Sequence, residues 1–458
     1  MTKKFLLSVT GMFFLGLFTT LQAETLTVDQ AVTEAIAHNT GIANEALKTS
    51  GKERDREMAM NKLFPTLTLG AGVDVLNQPE ASKQLVSGKV SSQNPGAYSF
   101  SPVYMTPDAL NLVGSIQVQL VLGVATFKSI KQTLIDYDNS NISLNLAKIR
   151  LARDVRKAFV QLLLFKESIR VNQQQVDAAA ERYRTTKTQA DTGSASDLTL
   201  YQVQVAWQNR IPAVEEAKLA YRQTLFAIEA LLGRDPDPLL EIAGSLGTPD
   251  ASPIPEGQTL SETWIDQRPD VQLAHGQILA ARGLKDIQES RVLPNLVLGW
   301  NATPTLNAKY FDDSSKVTYL QSGFTAMLSW SADALFPSSS WRQATEASKD
   351  QVQSAQLGLE QTRRAARNEI FNIIERLKKS RAVLDVLETA VGAAKKAADL
   401  TEKAYDSGTK SLLDVQDAEL QSQIAQLQLL NEIYNQQAGY IDLAAACNTT
   451  PEVLHGKQ

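Results

Sequence analysis

The chain has 458 residues, with 45 Lys and Arg against 50 Asp and Glu and a formal net charge of −5. That mild acidity excludes nucleic acid as an electrostatic partner. A single cysteine, Cys447, excludes an internal disulfide and any cysteine-based metal cluster, and His38, His275 and His455 are too scattered to suggest a metal site. No phosphate loop, nucleophile elbow or metalloprotease helix motif occurs, so neither an enzyme nor a cofactor is expected.

Met1 to Lys4 and the apolar run Phe5 to Leu21 read as the two regions of a secretory signal, residues 1–23, cleaved after Ala23. A lipoprotein needs cysteine after the cut, and Glu24 stands there instead. No later stretch supplies the roughly 20 apolar residues of a membrane helix. If the exported protein sits in a membrane, it does so as a β-barrel.

The first repeat, 24–232, opens with a helix capped by Thr27 and running to about Lys62, with Ala31, Val32, Ala35 and Ile36 on one stripe. Phe64-Pro65 ends it. The period then becomes two: Leu67, Leu69, Ala71, Val73 and Val75 alternate with Thr66, Thr68, Gly70, Gly72 and Asp74. After a loop from about Leu76 to Ala109, a second strand sets Ile116, Val118, Leu120 and Leu122 opposite Ser115, Gln117 and Gln119, completing a hairpin over about 65–124. From about Lys128 to Ala190, heptads of Ile135, Ile142 and Ile149 and of Leu144, Leu151, Ala158 and Phe165 predict one very long helix. A turn at Gly193 leads to a second helix whose seam is Leu200, Trp207, Val214, Tyr221 and Ile228, kinked by Pro212.

A Pro- and Gly-containing connection, 233–258, leads to a second repeat, 259–446, and a tail, 447–458. Leu63 to Gly70 returns as Val292 to Gly299, and the turn around Gly193 returns around Gly408. A second hairpin, about 294–330, places Leu296, Leu298, Trp300 and Ala302 on one face, with Leu320, Phe324, Ala326, Leu328 and Trp330 alternating on its other strand. Trp300, Tyr319 and Trp330 near the strand ends suit a bilayer interface, or the packing of a soluble sandwich. A long helix from about Trp341 to Asp406 is followed by one with the seam Leu413, Leu420, Leu427, Tyr434 and Ile441.

Four such strands cannot close a membrane barrel, but three chains would supply twelve. The same symmetry would gather the long helices into a hollow coiled-coil barrel. The expected fold is therefore mostly α with a membrane β-barrel, completed in a trimer, and the expected role is passage rather than chemistry.

Over essentially the whole mature chain, and most sharply in Tyr405-Asp-Ser-Gly-Thr-Lys-Ser-Leu-Leu-Asp-Val-Gln-Asp-Ala418, the sequence resembles the TolC-type outer-membrane efflux channel family. The resemblance implies a homotrimer in outer-membrane lipid whose periplasmic tunnel meets an adaptor protein and, through it, an inner-membrane transporter. It implies that Asp414 and Asp417 form aspartate rings at the pore constriction, where the residues alone favour a capping box from Ser411 to Asp414. Tyr405 and Lys410 would hold the tip closed. The family places an acid six residues after the first turn glycine, and here Thr199 stands there, with Asp197 two earlier. Gly193 and Gly408 would make the left-handed turns that an adaptor touches. Cargo is expected to be small toxic molecules, with a type I secreted polypeptide as the alternative; a purely structural periplasmic coiled-coil adaptor is the remote one.

Overall fold

The computed structural model describes residues 25–75, 109–236, 240–248, 254, 264–309 and 317–449. The expected signal segment, the long loop 76–108, His455 with most of the tail, and much of the 233–258 connection lie outside the described residues. Two compact units divide the chain. One comprises Met1–Asn39, Asp154–Pro249 and Val383–Gln437, and the other Thr40–Arg153, Asp250–Ala382 and Ala438–Gln458. Each unit draws segments from both halves of the sequence.

In the first unit, strand β1 (Thr25–Leu26) pairs in parallel with a strand reached only at Glu241–Ile242. Helix α1 (Val28–His38) starts in the expected cap, a reciprocal box between Thr27 and Gln30. The expected single helix to Lys62 is divided, however. Asn39 turns extended (φ −63°, ψ 125°), α2 (Thr40–Glu57) follows in the second unit, and a 3-10 stretch, Met58–Leu63, completes the run. Asn39 leaves the helix because its carboxamide donates to the Leu231 carbonyl at 2.9 Å, a tertiary contact that local propensity does not encode.

The second unit carries β2 (Thr66–Val75) and β3 (Ala109–Leu122) as one antiparallel hairpin. Helix α3 (Val124–Asp191) then runs for 68 residues, about 100 Å at 1.5 Å per residue. Beyond its turn come α4 (Asp197–Gln208) and α5 (Ile211–Leu232), so the kink expected from Pro212 is a break at residues 209–210. Strand β4 is the partner of β1, Glu241–Ile242. The second half supplies α6 (Pro269–Ser290), β5 (Asn295–Lys309), β6 (Val317–Ser329), α7 (Ser340–Asp406) and α8 (Leu412–Ala446). β5 extends beyond the expected Ala302, which puts Trp300 inside the strand, while Trp330 stands just past the end of β6.

Both hairpins join in one antiparallel sheet of order β2-β3-β5-β6. Pro304, which has no N–H to donate, is accommodated beside Gly114, where a β-carbon would come 2.7 Å from the proline ring. Register mostly aligns like with like: Leu67, Val118, Trp300 and Phe324 form one row and Leu69, Ile116 and Ala302 another, which ends on Ser322 in β6. Thr66, Gln119, Gly299 and Thr325, with Thr68, Gln117 and Asn301, occupy the opposite face. Trp300 and Phe324 meet at 6.4 Å between ring centroids.

Below the sheet the second unit has an apolar core of Ile370, Ile373, Ile374, Leu377 and Leu443, with Cys447 fully buried among them. One expected seam is corrected. On α8, Leu413 and Leu420 are 65% and 48% exposed, and the buried residues instead follow Val415, Ser422, Gln436 and Leu443. The inward row of α8 is partly polar, so a rule that seeks the most apolar heptad selects the outward one.

Candidate functional site

The two turns between paired helices have the same backbone. At the first, Gly193 adopts φ +77°, its N–H bonds to the Ala190 carbonyl at 2.9 Å and Ser194 N–H to Gln189 at 2.7 Å. At the second, Gly408 adopts φ +76°, bonding to Tyr405 at 2.8 Å, with Thr409 N–H on Ala404 at 2.9 Å. This nested pair of bonds satisfies the last carbonyls of α3 and α7, and the left-handed residue it needs favours glycine.

The helices that follow are both side-chain capped. Ser196 accepts from Thr199 N–H at 3.2 Å, and the Ser196 and Thr199 hydroxyls lie 2.9 Å apart. At α8, Asp414 N–H donates to Ser411 Oγ (3.3 Å), while Ser411 N–H and its hydroxyl donate to Asp414 Oδ2 (2.9 and 2.7 Å). The capping box is therefore formed. Those two bonds from Ser411, with the nearby Lys410 charge, hold the Asp414 carboxyl below the usual carboxylate range, so it is anionic at neutral pH.

Lys410 Nζ lies 3.5 Å from Asp414 Oδ1 in an exposed pair. Asp417 is exposed one turn further along the same helix. Tyr405 contributes its carbonyl to the turn and is half-buried. Thus Lys410 and Asp414 come together, whereas among the described residues no hydrogen bond or ion pair joins Thr199 to Tyr405 or Lys410. Among the described residues no group of three His, Cys, Asp or Glu is arranged to hold a metal.

A polar cluster absent from the sequence reading lies in the same unit. Glu419 accepts from Arg182 (2.6 Å) and Arg210 (2.7 Å), Arg182 also reaches Glu402 (3.0 Å), and Arg210 reaches Gln175 (2.6 Å). Arg182 has its pKa raised: burial opposes, but the hydrogen bonds and charges of Glu419 and Glu402 prevail. Each arginine stands more than 200 residues from its glutamate in sequence, and no motif announces such a pairing.

Comparison with known proteins locates this architecture. Residues 31–234 and 260–449 match the outer membrane efflux protein family. The chain is similar to nodulation protein T of Rhizobium leguminosarum bv. viciae, at 20% identity over 346 residues, 73% of this chain and 69% of that one. It is also similar to the pyoverdine export outer membrane protein OpmQ of Pseudomonas aeruginosa, at 24% identity over 398 residues, 81% of this chain and 78% of the other. In fold it matches the crystal structure of CusC with a TM-score of 0.72 at 15% identity, covering 92% of each chain. With two repeats of sheet-forming strands and long paired helices matched to one family along most of its length, the chain belongs to the outer membrane efflux proteins, as an outer-membrane channel component and not an enzyme.

Proposed function

We propose that three copies close a twelve-stranded barrel in the outer membrane and extend it as a periplasmic helical tunnel, a passive duct that exports small toxic molecules for a tripartite pump. The observation that carries this reading is the sheet: one face is mostly apolar, its Leu67, Val118, Trp300 and Phe324 row crossing all four strands, and β2 and β6 are its two edges, each paired on one side only. Open edges are not tolerated in hydrocarbon, and four strands cannot close on themselves. Pairing β6 of one copy with β2 of the next, repeated cyclically, removes every edge. The row of Leu67, Val118, Trp300 and Phe324 would then face lipid, and the Thr, Gln and Asn rows the lumen.

In this reading the turns at Gly193 and Gly408 present the tip to a periplasmic adaptor, which links the duct to an inner-membrane transporter that supplies the energy. Asp414 and Asp417 from three copies make two stacked carboxylate rings that favour cations. Tyr405, Lys410 and Thr199 hold the tip through contacts between helices of neighbouring copies. OpmQ is named for pyoverdine export, which favours small-molecule cargo over a secreted polypeptide.

The test is extraction and electrophoresis followed by complementation. The protein should require detergent, migrate as a trimer that heat dissociates, and restore resistance to small toxic compounds in a strain lacking it. A water-soluble monomer would overturn the duct, and restored polypeptide secretion without restored resistance would overturn the cargo.

A further inference from the structure

In the first unit α3, α7 and α8 run unbroken, whereas α4 and α5 part at residues 209–210. Asn209 (φ −66°, ψ −15°) and Arg210 (φ −87°, ψ −21°) keep right-handed dihedrals, and Arg210 N–H makes only the tighter bond to Trp207, at 3.1 Å. Pro212 has no N–H for the Gln208 carbonyl. Asn209 N–H still bonds to the Val205 carbonyl at 2.9 Å, so the joint keeps a helical direction, but with a tightened bond at Arg210 and none at Pro212 it is softer than a continuous helix.

Side chains from other helices hold it on both sides. Above, Asn172 donates to the Ala213 carbonyl (3.4 Å) and accepts from Gln423 (2.7 Å). At the joint itself Arg210 reaches Glu419, whose other oxygen takes Arg182, and these three side chains are only 16%, 12% and 14% exposed. Below, Trp207 stacks on Tyr183 with ring centroids 5.4 Å apart and planes 17° apart, yet its indole N–H is buried without an acceptor among the described residues. Any movement of α4 that wets this N–H relieves its desolvation cost.

We propose that α4, together with the turn at Gly193, is a hinged arm, and that Glu419 is the positioning residue that fixes it through Arg210. Its regulatory meaning rests on the duct reading: the arm carries one of the two turns at the tunnel mouth, which its nested bonds tie to the end of α3, so releasing the Glu419 clasp would let α4 shift against α5, α7 and α8 and carry that turn with it.

The test reads an intrachain distance. Spin labels at the exposed Gln202 and Gln223, on α4 and α5, are placed in a Cys447→Ala background, with labelled chains diluted in unlabelled ones. The parent protein should give one narrow distance, and Glu419→Gln and Arg210→Gln should each add a second population. Adding Asn209→Ala with Pro212→Ala to Glu419→Gln restores the missing helical bond and should recover the single distance. An unchanged distribution in both clasp variants, or a second population that persists after the joint is mended, overturns the hinge. Because the distance lies within one chain, loss of trimer or of conductance would tell against the duct and not against the arm.

Discussion

Asn139 on α3 and Gly276 on α6 fit each other as side chain and notch: the carboxamide donates to the Gly276 carbonyl at 3.1 Å, and a β-carbon on Gly276 would collide with Asn139 Oδ1. Seven residues away on each helix, Gln132 fills the equivalent place over Gly283. Two amides spaced by one heptad, set against two glycines spaced likewise, fix the antiparallel register of these helices.

Gly276→Ala is therefore expected to destabilise the protein by about 1–3 kcal/mol, because the added methyl would displace the half-buried Asn139 amide from its bond to the Gly276 carbonyl. Gly358→Ala, in α7 with open space around it, should stabilise by about 0.5–1 kcal/mol through helix propensity. Thermal melting of the purified variants, read by circular dichroism, checks the opposite signs.

Arg268 ties three segments of the second unit, donating to Asp270 (2.8 and 3.0 Å), Glu369 (2.7 Å) and the Ala446 carbonyl (3.1 Å). Burial pushes the Asp270 carboxyl up, but the Arg268 hydrogen bonds and charge, with the Val271 N–H, bring it below its ordinary 3.8. A carboxylate with a depressed folded-state pKa contributes stability above the unfolded value and loses it as pH falls through the folded one. The melting temperature of Asp270→Asn should thus lie below the parent at neutral pH, with the gap closing below pH 3.8. A gap that stays constant into acid would refute the assignment.

Cys447 is fully buried, and burial pushes its thiol up to about 11, the Arg268 charge opposing and the Glu369 charge reinforcing the shift. A thiol so high and so enclosed presents no thiolate at neutral pH. Maleimide should leave the folded protein unmodified at pH 7.5 and react once per chain in denaturant, as mass spectrometry would report.

Asp414 caps α8, and the ring reading assigns it a second role. Ser411→Ala removes the hydroxyl half of the cap and leaves the charge, whereas Asp414→Ala with Asp417→Ala removes both charges. Cation preference in a planar bilayer should survive the first and vanish in the second. Equal loss in both would reduce Asp414 to a cap.

Replacing Tyr405 with Phe and Lys410 with Ser together should raise the conductance of the isolated trimer, since the proposed contacts of both with neighbouring copies would be lost. Unchanged conductance would remove them from the gate.

What the sequence made legible was whatever a local period encodes. The alternation from Thr66 to Val75 corresponds to β2, and the proline-free heptads from Lys128 onward lie within α3, which starts earlier, at Val124. The glycine turns followed from chemistry that only glycine performs cheaply. The divided first helix was hidden because Asn39 answers to Leu231, nearly 200 residues away. The inward row of α8 was hidden because Ser422 and Gln436 are buried polar residues that hydropathy assigns to solvent. Glu419 was hidden for both reasons at once, a charged residue with partners remote in the chain.

The pairing of β3 with β5 spans the two halves of the sequence, Leu122 with Leu296 at one end and Ala109 with Lys309 at the other. Were the halves separate polypeptides, that pairing would be an encounter between molecules, governed by how many of each the cell makes. Carried on one chain, it becomes an internal closure at an effective concentration on the order of millimolar, whatever the expression level. Tandem duplication thus makes the meeting of the two hairpins a property of the gene rather than of dosage, and in the proposed trimer only the outer edges of the sheet would depend on supply.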